Sequence, residues 1–296
     1  YTVDEEKLPE GFSTFNLVVK GLTGGHSGDD INKKRANANK LLVRFLWEQS
    51  EKTDLRLCDI QAGGLHNAIP REAHATVAVP TAYVATFGEE LQAFVEKVRD
   101  EFSATEPELT AVIEPVAAAP TCICKEQAER LLKSLSVVHN GIFAMSQDLE
   151  GLVETSSNLA SVRKHGNQIV ATTSQRSSVA SNLEYMASVV RSAFELGGAK
   201  CVTNEGYPGW KMNPKSEILK VCVDSYKRLF GKEPLVRAIH AGLECGLFSE
   251  KYPHLDMVSF GPTLRGVHSP DERLLIPTVQ MVWDHLLDVL KNVPEK

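Results

Sequence analysis

Apolar residues in the first part of the chain recur with two alternating periods. Phe15 to Lys20 alternates in polarity up to Gly21 and reads as a strand, and a polar, glycine-rich loop follows. From Asn39 to Glu48 the period becomes helical, with Leu41, Leu42, Phe45 and Leu46 on one face. Leu55 to Ile60 is a strand closed by Gly63 and Gly64. His74 to Val79 is another, setting Ala75, Val77 and Val79 against His74, Thr76 and Ala78. Phe87 to Phe102 predicts a helix with Leu91, Phe94, Val95 and Val98 inward, and Leu109 to Val116 a strand ended by prolines. The order β-α-β-β-α-β, with strands that alternate, predicts an α+β domain: an antiparallel sheet covered on one face by helices.

The next stretch partly repeats that order. A helix from Glu126 to Val138 buries Leu131, Leu132 and Leu135. A hairpin joins Val153–Val162 to Gln168–Gln175 through Lys164-His165-Gly166-Asn167, whose Gly and Asn suit a tight turn. Asn182 to Leu196 is a helix with Leu183, Met186, Ala187, Val190 and Phe194 on one stripe, ended by Gly197 and Gly198, and Lys200 to Asn204 reads as a short strand. The echo raises a duplicated α+β unit as an expectation. Near Tyr207 the chain becomes rich in breakers, Pro208, Gly209 and Pro214 among them. Beyond it come a helix with Ile218, Cys222, Tyr226 and Phe230, short strands at Leu235–Ile239 and Met257–Phe260, and a last helix from Pro277 to about Val293. That order reads as a piece of a parallel α/β sheet. It is half of a doubly wound domain by size, and would lack the rest of the sheet it packs against.

Composition narrows the class. At roughly 150 residues per domain, 296 residues suggest two domains. A 43% hydrophobic content with 24% charged residues is that of a globular protein, so disorder is not the default. The net charge of -6 argues against general binding to nucleic acid or anionic membranes, which needs clustered Lys and Arg. No apolar run approaches the ~18 residues of a membrane span. The opening Tyr1-Thr2-Val3 has no initiator Met, basic region or apolar stretch, and reads as a fragment or cleaved product. Cys58, Cys122, Cys124, Cys201, Cys222 and Cys245 are scattered and form no C-x-x-C pair. Reduced thiols in a cytoplasmic protein are the expectation, with disulfides the minor alternative.

Five residues carry candidate chemistry, each beside a plainer role. His26 stands in Gly24-Gly25-His26-Ser27-Gly28, where the backbone can pass close to a ligand and an imidazole can donate to developing negative charge. An exposed His on a glycine turn is the plainer reading, and chemistry alone favours it. His268, in the loop from Gly261 to Glu272, could ligate a metal, but one ligand makes no site. Ser269 and Glu272 there have the spacing of a capping box. Glu244 could receive a substrate ammonium or be an ordinary first-turn acid. Arg176 could clamp a carboxylate bidentately or be a surface strand arginine. Asn67 sits in a loop between strands, where turn chemistry is the plainer role.

Taken together the motifs are more specific than any one. Gly21–Gly28, Asn37–Leu46, Asn67–Ala73, His240–Phe248 and Gly261-Pro262 with His268-Ser269-Pro270-Asp271-Glu272 follow in that order. Over essentially its whole length the chain resembles the dipeptidase branch of the M20-type metallopeptidase family, which includes carnosinase and tripeptidase T. The resemblance implies a catalytic α/β domain interrupted by a lid through which two subunits often dimerise. Residues 1–203 would be the lid and residues 204–296 the C-terminal segment of the catalytic domain. It implies hydrolysis of Xaa-His and other dipeptides by water activated on two divalent metal ions, zinc foremost with cobalt or manganese as alternatives, in a cytoplasmic homodimer. By the same resemblance His268 would be a metal ligand. His26 would stabilise the oxyanion, often across the dimer, and Arg176 would bind the substrate carboxylate. Glu244 would contact the amino end, and Asn67 would support the lid near the site. The departure is that the family's His-x-Asp motif and Glu-Glu base precede the lid. No His-x-Asp lies within residues 1–203, the one such spacing, His254-Leu255-Asp256, falls beyond them, and the acidic pairs Glu5-Glu6 and Glu89-Glu90 lie in a tail and on a helix. The chain is therefore expected to be inactive alone. The competing reading is a non-catalytic dimerisation or regulatory module derived from the lid.

Overall fold

The computed structural model describes every residue except 148, 205, 207–209, 211–212, 214, 238–243, 266–271 and 294–296. The chain divides into two compact units, Tyr1–Asn204 and Glu205–Lys296. In the first, the elements run β1 (Glu5–Lys7), β2 (Phe12–Lys20), β3 (Gly25–His26), α1 (Ala38–Ser50), β4 (Arg56–Gly63), β5 (Ala68–Ile69), β6 (Ala73–Pro80), α2 (Val84–Glu101), β7 (Thr110–Pro115), β8 (Thr121–Ile123), α3 (Lys125–Val137), β9 (Gly141–Met145), β10 (Val153–His165), β11 (Gln168–Ser177) and α4 (Ala180–Leu196).

Seven of these strands form one antiparallel sheet in the order β11-β10-β4-β6-β2-β7, with β9 also on β10. The alternation read from sequence sets the register. Phe15 stands opposite Val77, Leu17 opposite Ala75 and Val19 opposite Ala73, and all six face the main core. The long strand β10 joins the two halves. Its Ser161, Val162 and Arg163 pair with β4, its Val153–Ser157 end pairs with β9, and β11 runs along its other edge. The echo in element order thus ends in a single sheet.

All four helices contribute to the main core, which also holds the inward residues of β2, β4, β6 and β10. Phe45 of α1 sits 5.4 Å from Phe87 and 5.2 Å from Phe94 of α2, ring centre to ring centre. Truncating such a buried ring costs about 3–5 kcal/mol. The opposite face is partly covered by the β1–β8 pair, where Leu8, Cys58, Ala78 and Cys122 make a small second core. Burial there pushes the Cys58 thiol up to about 12, so it is an unreactive core thiol.

The second unit contains α5 (Glu217–Phe230), α6 (Glu244–Lys251), β12 (Leu264–Arg265), β13 (Arg273–Leu274) and α7 (Pro277–Lys291). Ser216 caps α5 by accepting from Leu219 N at 3.0 Å, and Gly231 ends it with φ +65°. His285 of α7 shares a hydrogen bond with Cys222 O of α5 at 2.9 Å. Among the described residues no helix is long and apolar enough to cross a membrane.

Three strands read from sequence are corrected. Lys200–Asn204 is not a strand, because its polar groups turn to α4: Arg191 Nη2 donates to Thr203 Oγ1 at 2.8 Å. Met257–Phe260 has no strand partner, and Phe260 instead lies 4.7 Å from the His285 ring. Leu235–Arg237 is exposed coil, while residues 238–239 of that expected strand lie outside the described residues.

Candidate functional site

The His26 loop is held open by glycine geometry and closed by charge. Gly24 and Gly25 have φ of +63° and +137°. A side chain on Gly25 would run into the Asp30 carboxylate and the Arg35 guanidinium. Asp30 organises the turn. Its Oδ2 accepts from His26 N at 2.8 Å, Lys33 Nζ lies 2.5 Å from Oδ1, and Arg35 Nη1 lies 3.3 Å from Oδ2 while also donating to Gly24 O. Burial pulls the Asp30 carboxyl upward. The Lys33 and His26 N–H bonds and the Arg35 charge outweigh it and hold the group below the usual carboxylate range.

β3 and β5 fix the loop against the sheet. Gly25 pairs with Ile69 and His26 with Ala68. Ser27 N donates to Asn67 O at 2.8 Å, so the contribution of Asn67 seen here is its backbone carbonyl. Asn158 on β10 donates from Nδ2 to Ala68 O at 2.8 Å and ties β5 to the long strand. Asn37, the N-cap of α1, accepts from Asn39 N and Lys40 N at 3.0 and 3.2 Å and donates to Leu159 O at 3.1 Å.

The imidazole of His26 is oriented, with only 19% of its side chain exposed. Its Nδ1 accepts from Gly28 N at 3.3 Å and Asp29 N at 3.2 Å. In the neutral ring this places the remaining N–H on Nε2. The Asp29 carboxylate is 3.8 Å from Nδ1, too far to compete with those bonds.

Arg176 on β11 lies opposite Ser156 of β10. A Cβ on Gly28 would stand 3.1 Å from His26 Cε1 and 3.6 Å from Arg176 Cζ, so imidazole and guanidinium flank the same glycine. Arg176 Nε and Ser27 Oγ are buried without a hydrogen-bond partner. Burial lowers the Arg176 guanidinium's proton affinity, and the Asp29 charge only partly restores it. A buried N–H without a partner is costly unless an acceptor completes it. The exposed surface arginine, the plainer reading of this position, is not what forms.

The structure thus brings His26, Asn67 and Arg176 together. Glu244 is the exposed first residue of α6 in the second unit, where a helix dipole favours an acid. His268 and the Ser269 end of the capping-box spacing lie outside the described residues. Among the described residues no three His, Cys, Asp or Glu side chains gather so as to hold a metal ion. Sequence reasoning missed Asp30, Asn158 and Asn37. Asp30 stood only as a polar residue just after the glycine loop, and Asn158 within the polar run Glu154–Asn158 of β10.

Comparison with known proteins bears on all of this. Residues 10–109 match the M20-type peptidase dimerisation domain. The chain is 40% identical over 294 residues to the cytosol non-specific dipeptidase of Escherichia coli (strain K12), covering 99% of this chain and 61% of that protein. It is also similar to the crystal structure of aminoacylhistidine dipeptidase from Vibrio alginolyticus, with a TM-score of 0.90 and 40% identity over 100% of this chain and 60% of that one. The chain spans about three fifths of the length of these relatives.

Proposed function

We propose that the chain, similar to M20-type dipeptidases over its whole length, is a member of the M20-type metallopeptidase family and supplies the lid and the C-terminal part of the catalytic domain of a dipeptidase. Residues 1–203 are the lid in this reading and residues 204–296 the catalytic segment. The observation that carries it is the pairing of an oriented imidazole with a half-buried guanidinium, whose buried Nε has no hydrogen-bond partner, around Gly28. A dipeptide offers a carbonyl that becomes an oxyanion and, a few bonds away, a terminal carboxylate. His26 Nε2–H donates to the oxyanion of the tetrahedral intermediate, and Arg176 binds the carboxylate. Asn67 holds the His26 loop through its carbonyl, and Glu244 receives the substrate ammonium. His268 is a candidate ligand to the divalent metal, zinc foremost. The assembly is a cytoplasmic homodimer joined through the lid.

Xaa-His dipeptides, the class named for one of the relatives, are the first substrates to assay. The experiment compares their hydrolysis by the 296-residue chain and by the enzyme in which it is joined to the remaining length of its relatives, both with added zinc. Turnover only by the longer protein is expected, since the chain's one His-x-Asp, His254-Leu255-Asp256, follows the lid instead of preceding it and neither Glu-Glu pair stands after a strand of an α/β sheet. Turnover by the chain itself, with its intact mass confirmed, overturns the assignment. No turnover by either favours a lid-derived dimerisation module.

A further inference from the structure

The loop that presents His26 begins and ends at one buried carboxylate. Glu106, just beyond α2, is 1% exposed. Its Oε2 accepts from Thr23 N at 2.6 Å and its Oε1 from Ala36 N at 2.9 Å. The same short segment makes two further bonds to the neck: Thr23 Oγ1 donates to Thr105 O at 2.8 Å, and Thr105 Oγ1 donates to Lys34 O at 3.2 Å. Between Thr23 and Ala36 lies the whole His26 turn, with Asp30 and Arg35 bracing it internally. We propose that Glu106 is a positioning residue for His26. By joining the two ends of the loop it sets where the imidazole stands relative to the bond being cleaved.

The chemistry of the bond pair explains why a carboxylate is needed. Two backbone N–H groups converge on Glu106, and a carboxylate can accept both. A glutamine of the same shape offers one acceptor and one N–H donor, so one neck amide is left facing a donor. The loop can then relieve the conflict only by opening. A displacement of about 1 Å at a catalytic group can cost ~100-fold in rate, so a small opening is enough to matter.

The proposal rests on the role given to His26, and the test separates the two. Glu106→Gln, His26→Ala and the double variant are made in the full-length enzyme and compared by kcat and KM on a Xaa-His dipeptide. Amide exchange across residues 23–36 is followed in the same proteins. The expected result is a kcat about 10–100-fold lower for Glu106→Gln with KM nearly unchanged, faster exchange in the loop, and a double variant no slower than His26→Ala alone. Wild-type kcat and exchange in Glu106→Gln, or a loss that multiplies with that of His26→Ala, overturns it. If His26→Ala keeps wild-type kcat, the proposed function of His26 fails, while accelerated loop exchange in Glu106→Gln still supports the neck. Should Glu106→Gln not fold, Thr23→Val removes only the hydroxyl bond to Thr105 O. It is expected to lower kcat a few-fold with the same exchange signature, and wild-type behaviour there counts against the proposal.

Discussion

At the scale of the residue, the site is decided by two nitrogens and what they lack or hold. His26 Nδ1 is occupied by two backbone donors, which leaves Nε2 as the ring's N–H. Arg176 Nε is buried and unbonded. If Arg176 were a structural residue, removing it would cost stability. Because its buried Nε has no hydrogen-bond partner, Arg176→Leu is expected to leave the melting temperature unchanged or raise it by a few degrees, read by thermal unfolding. A fall of several degrees would mark a structural role. His26 was legible as a candidate only through the order of motifs around it, since on chemistry alone an exposed His on a glycine turn was the plainer reading. Asp30, Asn158 and Glu106 were not legible. Each acts through backbone groups distant in sequence or hidden by a turn, and no spacing rule points from Glu106 to Thr23 or from Asn158 to Ala68.

At the scale of the element, the helices and the long strands followed their periods closely, because each buries one continuous face. The misses are short. β1 and β8 have three residues each, too few to show alternation, and they form because each supplies the other's hydrogen bonds. Lys200–Asn204 had a strand-like composition, but Thr203 and Cys201 bond to Arg191 of α4. The start of α1 is a sharper case. Asn37 caps the helix and also donates to Leu159 O and Asn140 Oδ1, so it joins α1 to β10. Asn37→Ala is expected to cost about 2 kcal/mol in urea unfolding, more than a cap alone, because buried acceptors lose their donor. A cost below about 0.5 kcal/mol would show that the joint is unimportant.

Lys40 makes a pH prediction on the same helix. Its Nζ donates to Leu135 O, Ser136 O and Val138 O at 2.9, 2.7 and 3.0 Å, capping the end of α3. Burial pulls its pKa from 10.5 down to about 8. Between those values the unfolded chain holds a proton that the folded chain has released, so this residue makes stability rise with pH across that window. Below about 8 both states are protonated and the contribution is flat. The comparison is denaturant unfolding of wild type and Lys40→Met at pH 8 and pH 10. The wild type is expected to gain relative to the variant at the higher pH, and a parallel response would contradict the assignment.

At the scale of the whole molecule, one seven-stranded sheet carries the first unit from β2 to β11, and the candidate site sits where β3, β5 and β11 meet the Gly28 turn. The antiparallel sheet with helices packed on one core was legible because alternation and helical period both demand it. The function was legible only through the order of several motifs, since each alone had a plainer reading. The second unit is the less legible part. Its helices α5 and α7 form and pack, while the strands read from composition lack partners in the described chain.

The central claim is that Arg176 recognises the carboxylate of a dipeptide beside an oxyanion donor. The direct measurement is kcat/KM of the full-length enzyme for a Xaa-His dipeptide and for the same dipeptide amidated at its C-terminus, in wild type and Arg176→Leu. The wild type is expected to prefer the free carboxylate by about 10–100-fold, the worth of a charge-assisted bidentate contact, and the variant to lose that preference. A preference of equal size in both proteins would contradict the account.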